Sequence, residues 1–254
     1  MIDQNDANEA ANDVLRRLAL KARGLTGADV ERLVRDARQA ARRETRPLAF
    51  ADIHDILTSA RPERPQPLRW RMAIHEAAHA VARLVLDLGR VTAISIDGAA
   101  GGYTEAELPT MEAETERFFA ALLVIRLAGR AAEEEFLGSV TAGAGGSPDS
   151  DLSQATQLAM AMETELGFAE PSPLLYRPAE DRSSLLAYNP LLAEQVSARL
   201  EDAYGRARDH IRRHHDAVQF LAEALMAHDT LEGLHLVAVL REVRKRMGHA
   251  GAPP

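Results

Sequence analysis

The sequence predicts a mostly α-helical fold with one small β-hairpin. Apolar residues recur at helical spacing through most of its 254 residues, β-branched alternation is confined to one stretch near residues 90–107, and Pro and Gly gather at a few joints. With 46% apolar composition the chain can bury one large core, or a core plus a small appendage.

Residues 11–44 read as two helices around the turn GLTG. Thr26, with Asp29 three positions later, reads as a capping box opening the second of them, which continues through Val30, Leu33, Val34 and Ala37. LAFADIHDILTSA gives a third, short helix. RPERPQPLR carries three prolines, which predicts a linker at 63–69 and a boundary near residue 66. It divides a helical segment, 1–62, from a main domain, 70–248, and a tail, 249–254.

Trp70 to Leu88 is helical again, with Ile74, Ala78, Val81, Val85 and Leu88 on one stripe. RVTAISID followed by GAAGGYTEAEL predicts strand, glycine turn and strand, the one convincing β signal. Residues 112–137 form a long apolar-faced helix, TAGAGGSPDS is a loop, and 151–165 is helical. Leu191 to Met247 reads as two or three amphipathic helices. Internal repeats and low-complexity segments are absent from the sequence.

Composition removes several kinds of chemistry. With no cysteine, disulfides, thiolate metal sites and cysteine nucleophiles are excluded, so any metal is held by His, Asp or Glu. A net charge of -8 and a pI near 5.6 oppose nucleic-acid binding, and the basic run RRETR reads as a solvated helix end. The only lysines, Lys21 and Lys245, do not follow glycine, so no P-loop exists and no nucleotide-binding residue is expected. The longest apolar run, FFAALLVIRLAG, is too short for a bilayer span and carries Arg126, and MIDQNDANEA lacks signal-peptide order. The chain therefore reads as soluble and cytoplasmic.

The segment AIHEAAHAVARLVL places His75 and His79 four apart with Glu76 after the first. On a helix such histidines share a face and can offer nitrogens to one ion, while Glu76 projects beside them, able to take a proton from a zinc-activated water. Ala77, Ala78 and Ala80 let other elements approach. A catalytic zinc needs a third protein ligand, and two sources are open: Glu133, Glu134 or Glu135 in GRAAEEEF, and Asp149 or Asp151 in GGSPDSDLSQAT. As a first-turn residue, Asp151 also serves simply to complement the helix dipole.

Several segments, in order, resemble the FtsH family of membrane-anchored AAA+ zinc metalloproteases: HEAAHAVARLVL, GGYTEAELP, LAGRAAEEEFLG, SDLSQATQLAMAMETELGFAE and RLEDAYGRARDHIRRHHDAVQFLAEALMAHDTLEG. The resemblance covers about residues 68–236. GLTGADVERLVRDARQAARRETRPLAFADIHDIL is similar to the last helices of the AAA+ lid, whereas the ATPase core and the membrane anchor have no counterpart in this sequence.

The resemblance implies a helical zinc-peptidase domain after a lid-like segment, with zinc held by His75, His79 and Asp151 and with Glu76 as general base. Asp149 is the reserve ligand. Glu133 and Glu134 would orient a histidine or brace the helix, and Ile94, Ile96, Gly102 and Tyr103 would line the substrate cleft. The implied activity is zinc-dependent endopeptidase action on unfolded or extended polypeptides. Implied partners are other copies in a six-membered ring and a separate AAA+ protein. The alternatives are a non-catalytic assembly subunit of a complete AAA+ protease, or a fragment of a longer one. Ala78 replaces the family's glycine, and the loop before Asp151 is longer than the family's usual form.

The remaining histidines carry less. His210 and His214 are also four apart but separated by Arg212 and Arg213, and read as a solvated face. His54, His228, His235 and His249 read as surface or helix-end residues, and Trp70 as packing.

Overall fold

Helix α1 (Gly27–Arg43) opens on the expected capping box: Thr26 Oγ1 accepts from the Asp29 N–H, and the Asp29 carboxylate accepts from the Thr26 N–H. In this computed structural model the described residues are 25–59, 64–98, 101–108, 114–142, 145–170, 172–177 and 186–248, with Leu15, Leu18, Ala19, Lys21 and Ala22 before them. Most of the first predicted helix, part of the 63–69 segment's approach and the 249–254 tail lie outside them. Helix α2 (Phe50–Ser59) follows a tight corner in which Arg46 grips Asp52 through its two terminal guanidinium nitrogens, at 2.7 and 2.6 Å.

The third helix, α3 (Gln66–Leu86), begins inside the stretch read as a linker. Pro65 is its N-cap and Pro67 lies in its first turn, where a missing N–H costs nothing because first-turn donors have no partner within the helix. The prolines therefore start a helix here instead of breaking one. It ends where Asp87 turns left-handed (φ 50°, ψ 42°).

Residues Ala73 to Ala82 of α3 are buried without interruption, so this is a central helix and not the one-stripe surface helix that its periodicity suggests. Around it pack α4 (Glu116–Leu137), α7 (His215–His228) and a sheet. The small side chains Ala73, Ala77, Ala78 and Ala80 make that close approach possible.

The sheet begins with the expected hairpin, β1 (Arg90–Gly98) antiparallel to β2 (Gly101–Glu107). A third strand, β3 (Thr230–Glu232), pairs antiparallel with β1 through Ala93, Ile94 and Ser95, giving the order β2-β1-β3. Three residues are too few to show alternation, which is why the sequence reading lacks this strand. Arg64 donates to the carbonyls of Ile96 and Gly98, and Lys21 pairs with Asp97, fastening the preceding segment to β1.

Helix α4 is capped by Thr115 and closed by Gly138 at φ 66°, and α5 (Asp151–Thr164) is capped by Ser150, whose Oγ accepts from the Ser153 N–H. Among the described residues, Pro190 to Arg246 carries three helices, α6 (Pro190–Arg213), α7 and α8 (Gly233–Arg246). Ile74, Val81, Leu123, Val124, Met160, Ile211, Leu221 and Leu225 share one core between them. Trp70 packs on its margin, as expected. Among the described residues no helix is long and apolar enough to cross a membrane.

Candidate metal centre

Helix α3 aims His75 and His79 at the first residue of α5. Nε2 of His75 is 3.0 Å, and Nε2 of His79 3.2 Å, from the same Asp151 oxygen, Oδ2. The two rings lie 4.7 Å apart at 69°. Among the described residues, His75, His79 and Asp151 form the one group of three whose ligand atoms all lie within 4.8 Å of one another. The sequence left Asp149 in reserve; it borders the same cleft but is not part of this trio.

The loop before Asp151 is tied at both ends. Thr141 donates to Glu133 through its N–H at 2.9 Å and its hydroxyl at 3.0 Å, and Ser150 donates to the Ser147 carbonyl at 2.7 Å. Its length therefore ends in a fixed turn that sets the start of α5.

Whether these groups suit a metal is answered by their other hydrogen bonds. His79 Nδ1 is 2.7 Å from the Ile125 carbonyl, which can only accept, so Nδ1 carries the proton and Nε2 presents a lone pair to a carboxylate in the neutral ring. A lone pair facing an anion at 3.2 Å calls for a cation or proton between them. His75 Nδ1 donates to Glu133 Oε1 at 2.9 Å, which orients its Nε2 in the same way. Two ligands of one tetrahedral ion stand about 3.3 Å apart, a spacing that the 3.0 and 3.2 Å separations match. The donor set of two imidazoles and one carboxylate fits a small divalent metal.

Protonation follows from the same contacts. Burial alone would depress the His75 pKa, but hydrogen bonds to Asp151 and Glu133 override it and raise the group to about 10. Burial opposes ionisation of Asp151 as well, yet the two imidazoles hold its carboxyl well below the usual range. Glu133 likewise overcomes burial, held at about 2 by His75, Arg71 and Thr141. Arg71 donates to Glu133 Oε2 at 2.8 Å and to the Ser139 carbonyl at 2.7 Å.

Glu76 stands beside the trio, buried, and burial raises its pKa. Thr104 Oγ1 on β2 lies 2.9 Å from Glu76 Oε2 and 3.0 Å from the Glu76 carbonyl, and its one proton serves either. Gly102 makes room for this carboxylate, because a Cβ there would come within 2.6 Å of Oε1. All of these groups line one cleft of about 810 Å³, with Tyr103, Asp149, Arg83 and Arg126.

Two expected cleft residues are misplaced by the sequence reading. Ile94 and Ile96 are 0% and 2% exposed, sit in the core and do not border the cleft. Their strand is central, paired on both sides, so the free edge beside the cleft belongs to β2. Gly102 and Tyr103 are at that edge and border the cleft.

The three glutamates of α4 have separate tasks. Glu133 orients His75, Glu134 accepts the Tyr204 hydroxyl of α6 at 2.5 Å, and Glu135 accepts from Arg208 and Arg212 of the same helix. Glu134 thus braces α4 and touches neither histidine. The sequence reading missed Thr104, Arg71, Thr141 and the Ile125 carbonyl. Only Thr104 carried a signal, its place in GGYT. His214 is buried at the α6–α7 junction, not part of a solvated face, and His228 meets His235 edge-on at 4.4 Å.

A buried helix carrying two imidazoles and a carboxylate, joined by an aspartate from a second helix, makes this a domain built around a candidate metal centre. The chain belongs to peptidase family M41, whose model matches residues 66–239. Among similar proteins, the ATP-dependent zinc metalloprotease FtsH 3 of Symbiobacterium thermophilum is 32% identical over 90% of this chain and 40% of its own length. FtsH 1 of Thermomicrobium roseum and FtsH of Chloroflexus aggregans are each 32% identical over 94% and 92% of this chain. The chain spans about 40% of the length of these curated relatives.

Proposed function

We propose that this chain is a zinc-dependent endopeptidase that hydrolyses extended or unfolded polypeptides. The observation that carries the reading is the convergence of His75 and His79 on one oxygen of Asp151, beside the buried carboxylate of Glu76. His75, His79 and Asp151 would hold the ion. Zinc bound there supplies a Lewis acid that acidifies water and polarises a carbonyl.

The chain's own groups supply the rest. Thr104 occupies Oε2 of Glu76, which leaves Oε1 to take the proton of the attacking water and to pass it to the leaving amine. Glu133 and the Ile125 carbonyl keep both imidazoles in the tautomer that presents Nε2. The free edge of β2 at Gly101–Thr104 offers backbone groups with which an extended polypeptide can pair.

The relatives are named ATP-dependent, and we extend to this chain a need for an ATP-driven motor to deliver folded substrates, whether in the same polypeptide or in a partner. Assembly into a ring belongs to the same reading.

The test is digestion of an unstructured protein by the zinc-loaded chain. Cleavage abolished both by a chelator and by Glu76→Gln is expected. An intact substrate in the presence of stoichiometric zinc would overturn the reading in favour of a non-catalytic assembly subunit.

A further inference from the structure

Beyond the metal centre, the cleft contains two arginines for which the hydrolytic step has no use. Arg83 stands one turn after His79 on α3, about 6 Å along its axis. Arg126 follows Ile125, whose carbonyl holds His79. Helices α3 and α4 run antiparallel here, since Ile125 meets His79, Gly129 meets His75 and Glu133 meets both His75 and Arg71. Arg126 is thereby brought alongside the turn that carries Arg83. Burial and the Arg126 charge both lower the Arg83 pKa, as two neighbouring cations should.

Among the described residues neither guanidinium has a carboxylate partner. Arg83 donates one nitrogen to the Leu88 carbonyl at 2.6 Å, and its buried Nε has no acceptor. Among the described residues Arg126 makes no hydrogen bond or ion pair. The third arginine of the cleft, Arg71, is by contrast neutralised by Glu133. A partly buried cation that no carboxylate neutralises, next to a second unpaired cation, is stabilised by an anion from outside, and the planar forked guanidinium matches a carboxylate best.

We infer that Arg83 and Arg126 form a carboxylate-binding subsite that selects polypeptides bearing an acidic group within about two residues of the bond to be cut, at about 3.3 Å per extended residue. The inference rests on the reading of the cleft as a polypeptide site. The carboxylate can belong to an Asp or Glu side chain or to the end of the substrate chain.

The test uses zinc-loaded Glu76→Gln protein, so that binding is read without turnover, and four unstructured peptides. One pair carries Glu or Gln at the central position, and each is made with a free or an amidated C-terminus. About tenfold tighter binding of a peptide with the carboxylate than of its neutral counterpart is expected. The arm that shows it identifies the source. Adding Arg126→Gln should bring the ratio to about one, Arg126→Lys should restore part of it, and Arg117→Gln, which removes the same charge outside the cleft, should leave it in place. Equal affinity for all four peptides, or a preference surviving Arg126→Gln, overturns the subsite. The same peptides offered to the protein with Glu76 separate the two readings. Cleavage without acid preference sinks the subsite alone, whereas an Arg126-dependent binding preference without cleavage supports the subsite and sinks the endopeptidase.

Discussion

The imidazole of His75 occupies the space that a Cβ on Gly129 would need, so the metal-facing ring of α3 rests on the bare backbone of α4. The ring cannot step aside freely, because Glu133 holds its Nδ1 and Asp151 its Nε2. Gly129→Ala should therefore displace the ring and weaken zinc binding by about 10–100-fold, the range for a disturbed ligand orientation. A chelator-competition titration reads this, with circular dichroism checking that the helices persist. Unchanged affinity in a folded variant would show that the contact is not a constraint.

Glu133→Gln keeps the shape but removes the charge that Arg71 and His75 share. The loss of zinc affinity should again be about 10–100-fold. It should come with a lower unfolding temperature, because Arg71 loses its carboxylate partner and keeps only neutral acceptors such as Ser139. Zinc stoichiometry and thermal unfolding of the same preparation measure both, and retention of full affinity would remove Glu133 from the site.

Thr104→Val should lower kcat about tenfold with KM little changed, since the hydroxyl touches Glu76 and does not face the metal trio. Thr104→Ser should restore most of the rate. Steady-state kinetics at fixed zinc content decide it, and an unaltered kcat in the valine variant would leave Glu76 without this support.

The histidine pair was legible because it is local. His75 and His79 are one helical turn apart, and periodicity shows a helix there. What orients them is not local: Ile125 lies 46 positions from His79, and Thr104 lies 28 from Glu76. No pattern along the chain records such pairs. The hairpin was legible from its alternation, but alternation cannot say whether a strand is central, so Ile94 and Ile96 were placed at the cleft when β3 in fact closes the other side of β1. Pro65 and Pro67 misled for a related reason, because proline both ends helices and starts them, and only the position of the first turn distinguishes the two.

Tyr204→Phe removes the hydroxyl whose proton Glu134 accepts, one of the links between α6 and α4. Burial and the Glu134 carboxylate together push the phenol pKa up to about 12, so the proton stays on Tyr204 through the neutral range. Because Glu134 is 40% exposed, solvent screens the bond, and its removal should cost about 1 kcal/mol. Denaturant unfolding measures it, and Glu134→Gln combined with Tyr204→Phe should cost little more than either alone. Full additivity in that double variant would show that the two side chains do not interact.

At the α1–α2 corner, Arg46 and the Ala49 N–H hold Asp52 at about 2, against an ordinary value of 3.8. A carboxyl whose folded pKa is depressed binds its proton more readily when unfolded, so its contribution to stability is complete above 3.8 and is lost as pH falls towards about 2. Asp52→Asn lacks that contribution at every pH. Hydrogen exchange of the α2 amides should consequently be faster in the variant than in the wild type at neutral pH, and the two should converge only between 3.8 and about 2. A gap that stays constant through this window would mean that the ionised Arg46–Asp52 contact contributes nothing to the corner.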